Sequence, residues 1–336
     1  PRELTAFAKK TKSRFQKNGL KPIRPQGSAK STPTWNKYMS VKLSSAQITG
    51  LEGEIIDVEV DLTRGLPAFS IVGLPDKSVE ESKERISSAI KNTGYTPPQR
   101  KNQRVTVSLA PADIKKEGPI FDLGIALGYL LSSKQIKFNP AKKLFLGELA
   151  LDGSIRKIKG ALALAQSACK AGFEEIYLPG GNGFEAAMIG GIKVYEATSL
   201  KKLVEWLEEK EKPEPVPKQT FNEEISRPAV EFGDIRGQEH AKRALEIAAA
   251  GNHNLLMTGP PGTGKTMLAR ALPSLLPPLS FEEALEVTNI HSVAGILNKP
   301  LITLRPFRNP HHTASYISIV GGGAIPRPGE ITLAHR

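Results

Sequence analysis

Residues 259–266 read Gly259-Pro260-Pro261-Gly262-Thr263-Gly264-Lys265-Thr266 and fill every fixed position of the phosphate-loop pattern G-x-x-x-x-G-K-[ST]. That pattern carries meaning only between a buried strand and a helix, and the flanks suit both. Upstream, Asn254-Leu255-Leu256-Met257-Thr258 is a short apolar run that predicts a strand. Downstream, Met267-Leu268-Ala269-Arg270-Ala271-Leu272 opens a helical pattern. The glycines let backbone N–H groups turn toward a polyphosphate, and the helix N-terminus adds the positive end of its dipole. Lys265 can reach the β- and γ-phosphates, and the Thr266 hydroxyl can ligate Mg²⁺. The expected cofactors are therefore ATP and Mg²⁺. A glycine-rich turn that only caps a helix would require neither the Lys-Thr pair nor the apolar run before it.

Length allows about two domains, each able to bury a core, in a chain of 336 residues. A 39% hydrophobic and 24% charged composition is ordinary for a globular protein. The longest apolar run, Leu123 to Leu131, is too short to cross a bilayer, and the N-terminus lacks the order of a secretory signal. A cytoplasmic protein without a membrane partner is expected. Cys169 is the single cysteine, so no intramolecular disulfide or cysteine-based zinc site can form, and its helical neighbours Ala165 and Ala168 suggest a small buried side chain.

The formal charge of +12 is unevenly spread. Residues 1–38 hold ten Lys or Arg and one Glu, which leaves only +3 for the remainder. This prefix has Pro22, Pro25, Gly27 and Pro33 among its lysines and no apolar period, so it is expected to be disordered. It reads as a phosphate-binding arm, a solvated flank, or sequence foreign to the natural protein. Met39, followed by a clean strand pattern, suggests a true start there.

Residues 39–210 read as one compact α/β domain. Val41 to Ile48, Glu54 to Leu62 and Pro67 to Val72 look like a meander of three strands. A helix capped by Asp76 or Ser78 follows, ending near Gly94 before Pro97 and Pro98. Arg104 to Leu109 alternates as a strand, Phe121 to Leu131 is a buried helix, and Asp152-Gly153 turns a hairpin between Leu144–Leu151 and Ile155–Ile158. Helices at Ala161–Ala171, near Phe184–Met188 and from Ser199 to about Lys210 alternate with strands Glu175–Leu178 and Ile192–Glu196. Residues 211–229 carry proline at every second position over Pro213-Glu214-Pro215-Val216-Pro217 and predict an extended linker. Residues 230–336 open a second domain, with a helix from Glu239 to Ala250 ahead of the phosphate loop.

Several motifs together carry a specific resemblance. Ala46-Gln47 with Gly50-Leu51-Glu52-Gly53, the run Gly65-Leu66-Pro67-Ala68-Phe69-Ser70-Ile71-Val72-Gly73-Leu74-Pro75-Asp76, and Asp234-Ile235-Arg236-Gly237-Gln238 lead up to the phosphate loop. Ile290-His291-Ser292-Val293-Ala294-Gly295 and Arg305-Pro306-Phe307-Arg308-Asn309-Pro310-His311-His312-Thr313 follow it. This set resembles the ComM/YifB family of magnesium-chelatase-like AAA+ ATPases, from about Met39 to Arg336. The resemblance implies a ribosomal S5 domain 2-like, or Lon-like, N-terminal domain joined by the Pro-rich linker to part of a P-loop AAA+ α/β domain. It places Ile235, Gly237 and Gln238 near the adenine and implies assembly into a ring and a DNA partner, ComM-type proteins being implicated in branch migration during natural transformation. The alternative within the same core is a magnesium-chelatase-like assembly or metal-insertion subunit.

In this family, Gly329-Glu330-Ile331-Thr332-Leu333-Ala334-His335 is followed by an apolar strand ending in Asp-Glu, the Walker B segment, and here the sequence stops at Arg336. A chain of this extent is expected to bind ATP without a complete catalytic set. The Lon resemblance does not extend to a protease: the aligned serine and lysine positions are Ile120 and Leu162, so neither nucleophile nor base is present. His311-His312 has no Cys, Asp or Glu at ligand spacing and suits a hydrogen-bonded loop better than a metal site. Arg305, Arg308 and Arg327, set among prolines and glycines, are the candidate DNA-backbone contacts, with a charged surface loop as the alternative.

Overall fold

The computed structural model describes residues 40–100, 102–218, 228–323 and 326–336. The prefix 1–38 and the linker residues 219–227 lie outside the described residues. Alternating apolar residues build the first half. In β2 (Glu52–Arg64) and β4 (Gln103–Ala110) the side chains that point inward recur with period two, as in Ile56, Val58 and Val60 or Val105, Val107 and Leu109, whereas β1 (Val41–Thr49) buries Ser45, Ala46 and Gln47 in succession. With β3 (Ala68–Val72), β5 (Lys143–Phe145), β8 (Glu175–Pro179) and β9 (Lys193–Ala197) they form one seven-stranded sheet in the order β3-β4-β2-β1-β5-β8-β9. Four of its neighbouring pairs run parallel, and β4-β2 and β2-β1 run antiparallel. The fold is α/β with a mostly parallel sheet.

The first three strands are not a meander. β3 pairs in parallel with β4, which separates it from β2. A meander needs β3 to turn straight back onto β2, whereas the chain crosses through α1 (Lys77–Asn92) before β4 fills that position.

Helices cover both faces. Ile55 and Ile56, adjacent on β2, enter different cores. One core joins Ile56, Val58 and Val60 to α1, to α2 (Asp122–Ser132) and to α5 (Leu200–Leu207). The other joins Ala46 and Leu144 to α3 (Ala161–Lys170) and α4 (Gly183–Ala186). A small hairpin of β6 (Glu148–Leu149) and β7 (Ile155–Arg156) replaces the longer strands expected on either side of Asp152-Gly153. Cys169 is only partly buried, its thiol 3.3 Å from the Gly190 carbonyl, because it lies beside the buried stripe of α3 and not on it. Of residues 211–229, expected to be a linker, the described residues 211–218 and 228–229 carry no helix or strand.

Beyond the linker come α6 (Glu239–Gly251), α7 (Lys265–Ala271), α8 (Phe281–Ala294), α9 (Tyr316–Val320), the two-residue strands β10 (Gly321–Gly322) and β11 (Arg327–Pro328), and α10 (Glu330–Leu333). Ser280 and Glu283 close a capping box at the start of α8, and Gly295 ends it at φ 74°. Asn254 to Thr258 is not a strand. A strand is held by a hydrogen-bonded neighbour, and no strand pairs with this segment among the described residues, so Leu255 and Leu256 stay in solvent. No helix among the described residues is long and apolar enough to cross a membrane.

Candidate nucleotide-binding site

The loop between Met257 and α7 is shaped by three glycines with positive φ: Gly259 at 155°, Gly262 at 83° and Gly264 at 85°. A Cβ on Gly262 or Gly264 would meet no atom within 4 Å, so backbone conformation demands glycine there and the space above the loop is open. Gly264 is the left-handed residue that starts α7 and orients its first N–H groups outward from the helix end. The Lys265 ammonium folds back over the loop and donates to the carbonyls of Gly259 at 2.9 Å and Pro260 at 2.6 Å, with Thr263 Oγ1 at 3.3 Å. Thr263 in turn donates to the Pro260 carbonyl at 3.0 Å. Thr266 is exposed at the first turn of α7. A cation, a hydroxyl and the first N–H groups of a helix around open space are the donor set that a Mg²⁺-bound polyphosphate requires.

A small apolar cluster ties the upstream segment to this loop. Ile235, buried, packs with Leu245 of α6 and with Leu268 and Ala271 of α7. The structure thereby brings Ile235 to the helix that carries Lys265. Gly237 and Gln238, both left-handed and exposed, lead into α6.

The three arginines have different surroundings. Arg308 holds Glu330 with two parallel hydrogen bonds, Nε to Oε2 at 2.6 Å and Nη2 to Oε1 at 2.7 Å. Arg305 donates to the carbonyls of Pro277 at 2.8 Å and Arg336 at 2.6 Å. Arg327 is exposed on β11 and forms no ion pair among the described residues. The rings of His311 and His312 lie tilted at 36° with centroids 4.2 Å apart, and His311 Nδ1 lies 2.7 Å from Thr313 Oγ1. No cluster of His, Cys, Asp or Glu suited to a metal occurs among the described residues.

Sequence reasoning missed the seam between α8 and the first sheet. The Ser292 hydroxyl donates to buried Glu185 at 2.5 Å, the Gly160 N–H donates to the Ser292 carbonyl at 3.1 Å, and Asn289 Nδ2 donates to the Leu51 carbonyl at 3.0 Å. The motif containing Ser292 was visible as a motif, but its partner on α4 lies 107 residues away.

The family description "Magnesium chelatase, subunit ChlI" matches residues 231–336, and "Subunit ChlI of Mg-chelatase" matches residues 58–182. An uncharacterized protein of Mycobacterium tuberculosis is 41% identical over 296 residues, covering 87% of this chain and 58% of its own length. YifB of Escherichia coli is 45% identical over 292 residues and competence protein ComM of Haemophilus influenzae 44% over 295, each covering 85% of this chain and 56% of the relative. An α/β chain with a phosphate loop and these matches is a magnesium-chelatase-like protein. Within that class it belongs to the ComM/YifB family. The chain spans a little over half the length of these relatives.

Proposed function

We propose that this chain is the nucleotide-binding part of an ATP-driven DNA motor, binding ATP and Mg²⁺ at Gly259–Thr266. The observation that supports it most directly is the loop itself: left-handed glycines under open space, with the Lys265 ammonium and the Thr266 hydroxyl at the start of α7. Lys265 would exchange its two carbonyl contacts for phosphate oxygens, Thr266 would ligate the metal, and Ile235, Gly237 and Gln238 would flank the base. Mg²⁺ would supply charge neutralisation at the β- and γ-phosphates. The name of the Haemophilus relative, a competence protein, favours DNA as the substrate moved, with recombination during natural transformation as the setting and a ring of subunits as the working form. The family description favours a second reading, a subunit that assembles or inserts metal.

Equilibrium titration with a fluorescent ATP analogue and Mg²⁺ tests the site, and binding unaffected by Lys265→Ala would sink it. ATP turnover by the full-length protein with and without branched DNA separates the two readings: DNA stimulation supports the motor, and indifference to DNA supports the metal-insertion reading.

A further inference from the structure

The seam between α8 and the sheet half holds a cleft of about 460 Å³ that the phosphate loop does not line. Lys157, Lys159 and Lys299 line it together, with Phe184 and Glu185 of α4. Lys157 and Lys159 follow β7, α4 follows the turn after β8, and Lys299 lies in the segment after α8. The floor is tied down. Asn182 Oδ1 accepts from the Ile158 N–H at 3.0 Å, its Nδ2 donates to the Ile158 carbonyl at 2.9 Å, and the Gly160 N–H reaches the Ser292 carbonyl. Glu185 is the one carboxylate among the described residues that line the cleft, and it is buried, accepting from Ser292 and Asn182. The lysines are placed but not paired. A Cβ on Gly181 would fall 2.3 Å from Lys157 Cε, and one on Gly295 would fall 2.6 Å from Lys159 Cε, so each stem lies across a glycine of a neighbouring segment. Lys159 thereby complements the C-terminal dipole of α8 without a hydrogen bond to its carbonyls. All three lysines are exposed, and none of their ammonium groups makes a hydrogen bond or ion pair among the described residues. Phe184 is 48% exposed at the same cleft.

We infer that this cleft binds a phosphorylated nucleotide unit, with its phosphate among Lys157, Lys159 and Lys299 and its base against Phe184. Three ammonium groups outnumber a single carboxylate that already accepts two hydrogen bonds, so the lining attracts an anion. Ammonium groups are point charges with rotatable donors, which suit a phosphate that approaches without fixed bidentate geometry. The cleft falls within the volume range of small-ligand sites, about 300 to 1,000 Å³, and so takes one nucleotide unit and not a duplex. An exposed aromatic beside phosphate-binding cations is the arrangement that holds unstacked bases. Inorganic phosphate would satisfy the lysines and leave Phe184 in water. A free nucleotide and one nucleotide of a single strand present the same chemistry here. The inference does not rest on the ATP site at Gly259–Thr266, and it goes beyond the motor reading by adding a second site where α8 meets the sheet half.

The test uses the full chain carrying Lys265→Ala, which removes the cation of the phosphate loop, and two probes. One is a fluorescent ADP analogue in equilibrium titration, and the other is a labelled mixed-sequence 20-nucleotide single strand in anisotropy across 50 to 200 mM salt. Thermal melts confirm that each variant folds. Adding Lys157→Ala, Lys159→Ala or Lys299→Ala should each weaken the bound probe by about tenfold. On the strand, each should also lower the slope of log affinity against log salt by about 0.7. Phe184→Ala should leave that slope unchanged and weaken binding by about fivefold or more, and Phe184→Tyr should restore it. Lys201→Ala, on α5 and outside the cleft, should change nothing. These effects on the strand alone assign the cleft to single-stranded DNA, and on the ADP analogue alone to a free nucleotide; either supports the inference. Binding of neither probe, binding indifferent to the lysine variants, or a loss on those variants with none on Phe184→Ala overturns it. The ATP site stands or falls separately, on the effect of Lys265→Ala itself.

Discussion

The Lys265 ammonium spends its hydrogen bonds on Gly259 and Pro260 of its own loop, contacts made at the surface and easily exchanged. Replacing it should therefore cost little stability and much affinity. A hydrogen bond to a charged phosphate contributes about 1.5 to 3 kcal/mol, so Lys265→Ala should weaken ATP binding by about 10- to 100-fold with an unchanged melting temperature. A parallel fall in melting temperature would instead assign Lys265 to the fold. Arg308 presents the opposite case, because its guanidinium is already engaged. The hydrogen bond from Arg308 holds the Glu330 carboxyl below its usual range. A carboxylate with a depressed folded value stabilises the fold above its unfolded pKa of about 4.3 and loses that contribution as the pH falls through the folded value. For a partly exposed pair the contribution is about 1 kcal/mol or less. Hydrogen exchange at α10 should accelerate relative to α8 on acidification from pH 6 to 3, and Arg308→Ala should abolish that differential. An unchanged differential would mean that Glu330 is not the responsible group. The phosphate loop was legible because its residues are contiguous. The Arg308–Glu330 pair was not, since nothing local to either residue specifies a partner 22 positions away.

At the scale of elements, legibility followed the origin of the constraint. Strands β2 and β4 were readable because one face is buried and period two survives in the sequence. Helix α2 was readable from its uninterrupted apolar run, and its glycines have a packing cause. A Cβ on Gly128 would fall 2.6 Å from Val60 Cγ2 and 3.1 Å from Leu43 Cδ1, so the helix lies directly on β1 and β2. Gly128→Val should destabilise the chain by about 1 to 3 kcal/mol through overpacking, measured by urea denaturation. A neutral result would show that the sheet yields. The position of β3 was not readable, because pairing order is decided by which strands meet after α1 has crossed, and two strands of similar pattern compete for β2 equally well on sequence alone. Asn254 to Thr258 failed for a related reason: its apolar composition favours a strand, but composition supplies no neighbour. Likewise Lys116, a lysine in an exposed-looking run, is fully buried with its ammonium on the carbonyls of Pro111 and Ile114, an outcome fixed by loop closure and invisible to any local pattern.

For the whole molecule, burial is distributed unequally, and that inequality sets where the chain opens. The sheet and its helices bury two large apolar cores, one on each face. Around the phosphate loop the buried apolar residues are few: Ile235, Leu245, Leu268 and Ala271 in one cluster, Leu279, Ala284 and Val287 in another. Leu256 is 88% exposed, and Ile247 and Met267 are also in solvent. Local opening free energy follows buried contacts and protected hydrogen bonds, so amides of residues 254–272 should exchange fastest and those of β1, β2, β4 and β8 slowest. The seam through Gly160, Glu185 and Ser292 adds an intermediate layer, because α8 is hydrogen-bonded to the sheet side and should be protected with it. Ligand linkage then gives the decisive contrast. A ligand that binds only the closed loop stabilises it by RT ln(1 + [L]/Kd), about 2.7 kcal/mol at a hundredfold excess over Kd, so ATP with Mg²⁺ at that excess should slow exchange in 259–272 by about 100-fold. The sheet should be unaffected, as should the Lys265→Ala chain at the same nucleotide concentration. Uniform protection of the whole chain by nucleotide would place the binding energy in global stability, and equal exchange of the loop and β2 before nucleotide is added would refute the unequal distribution of stability.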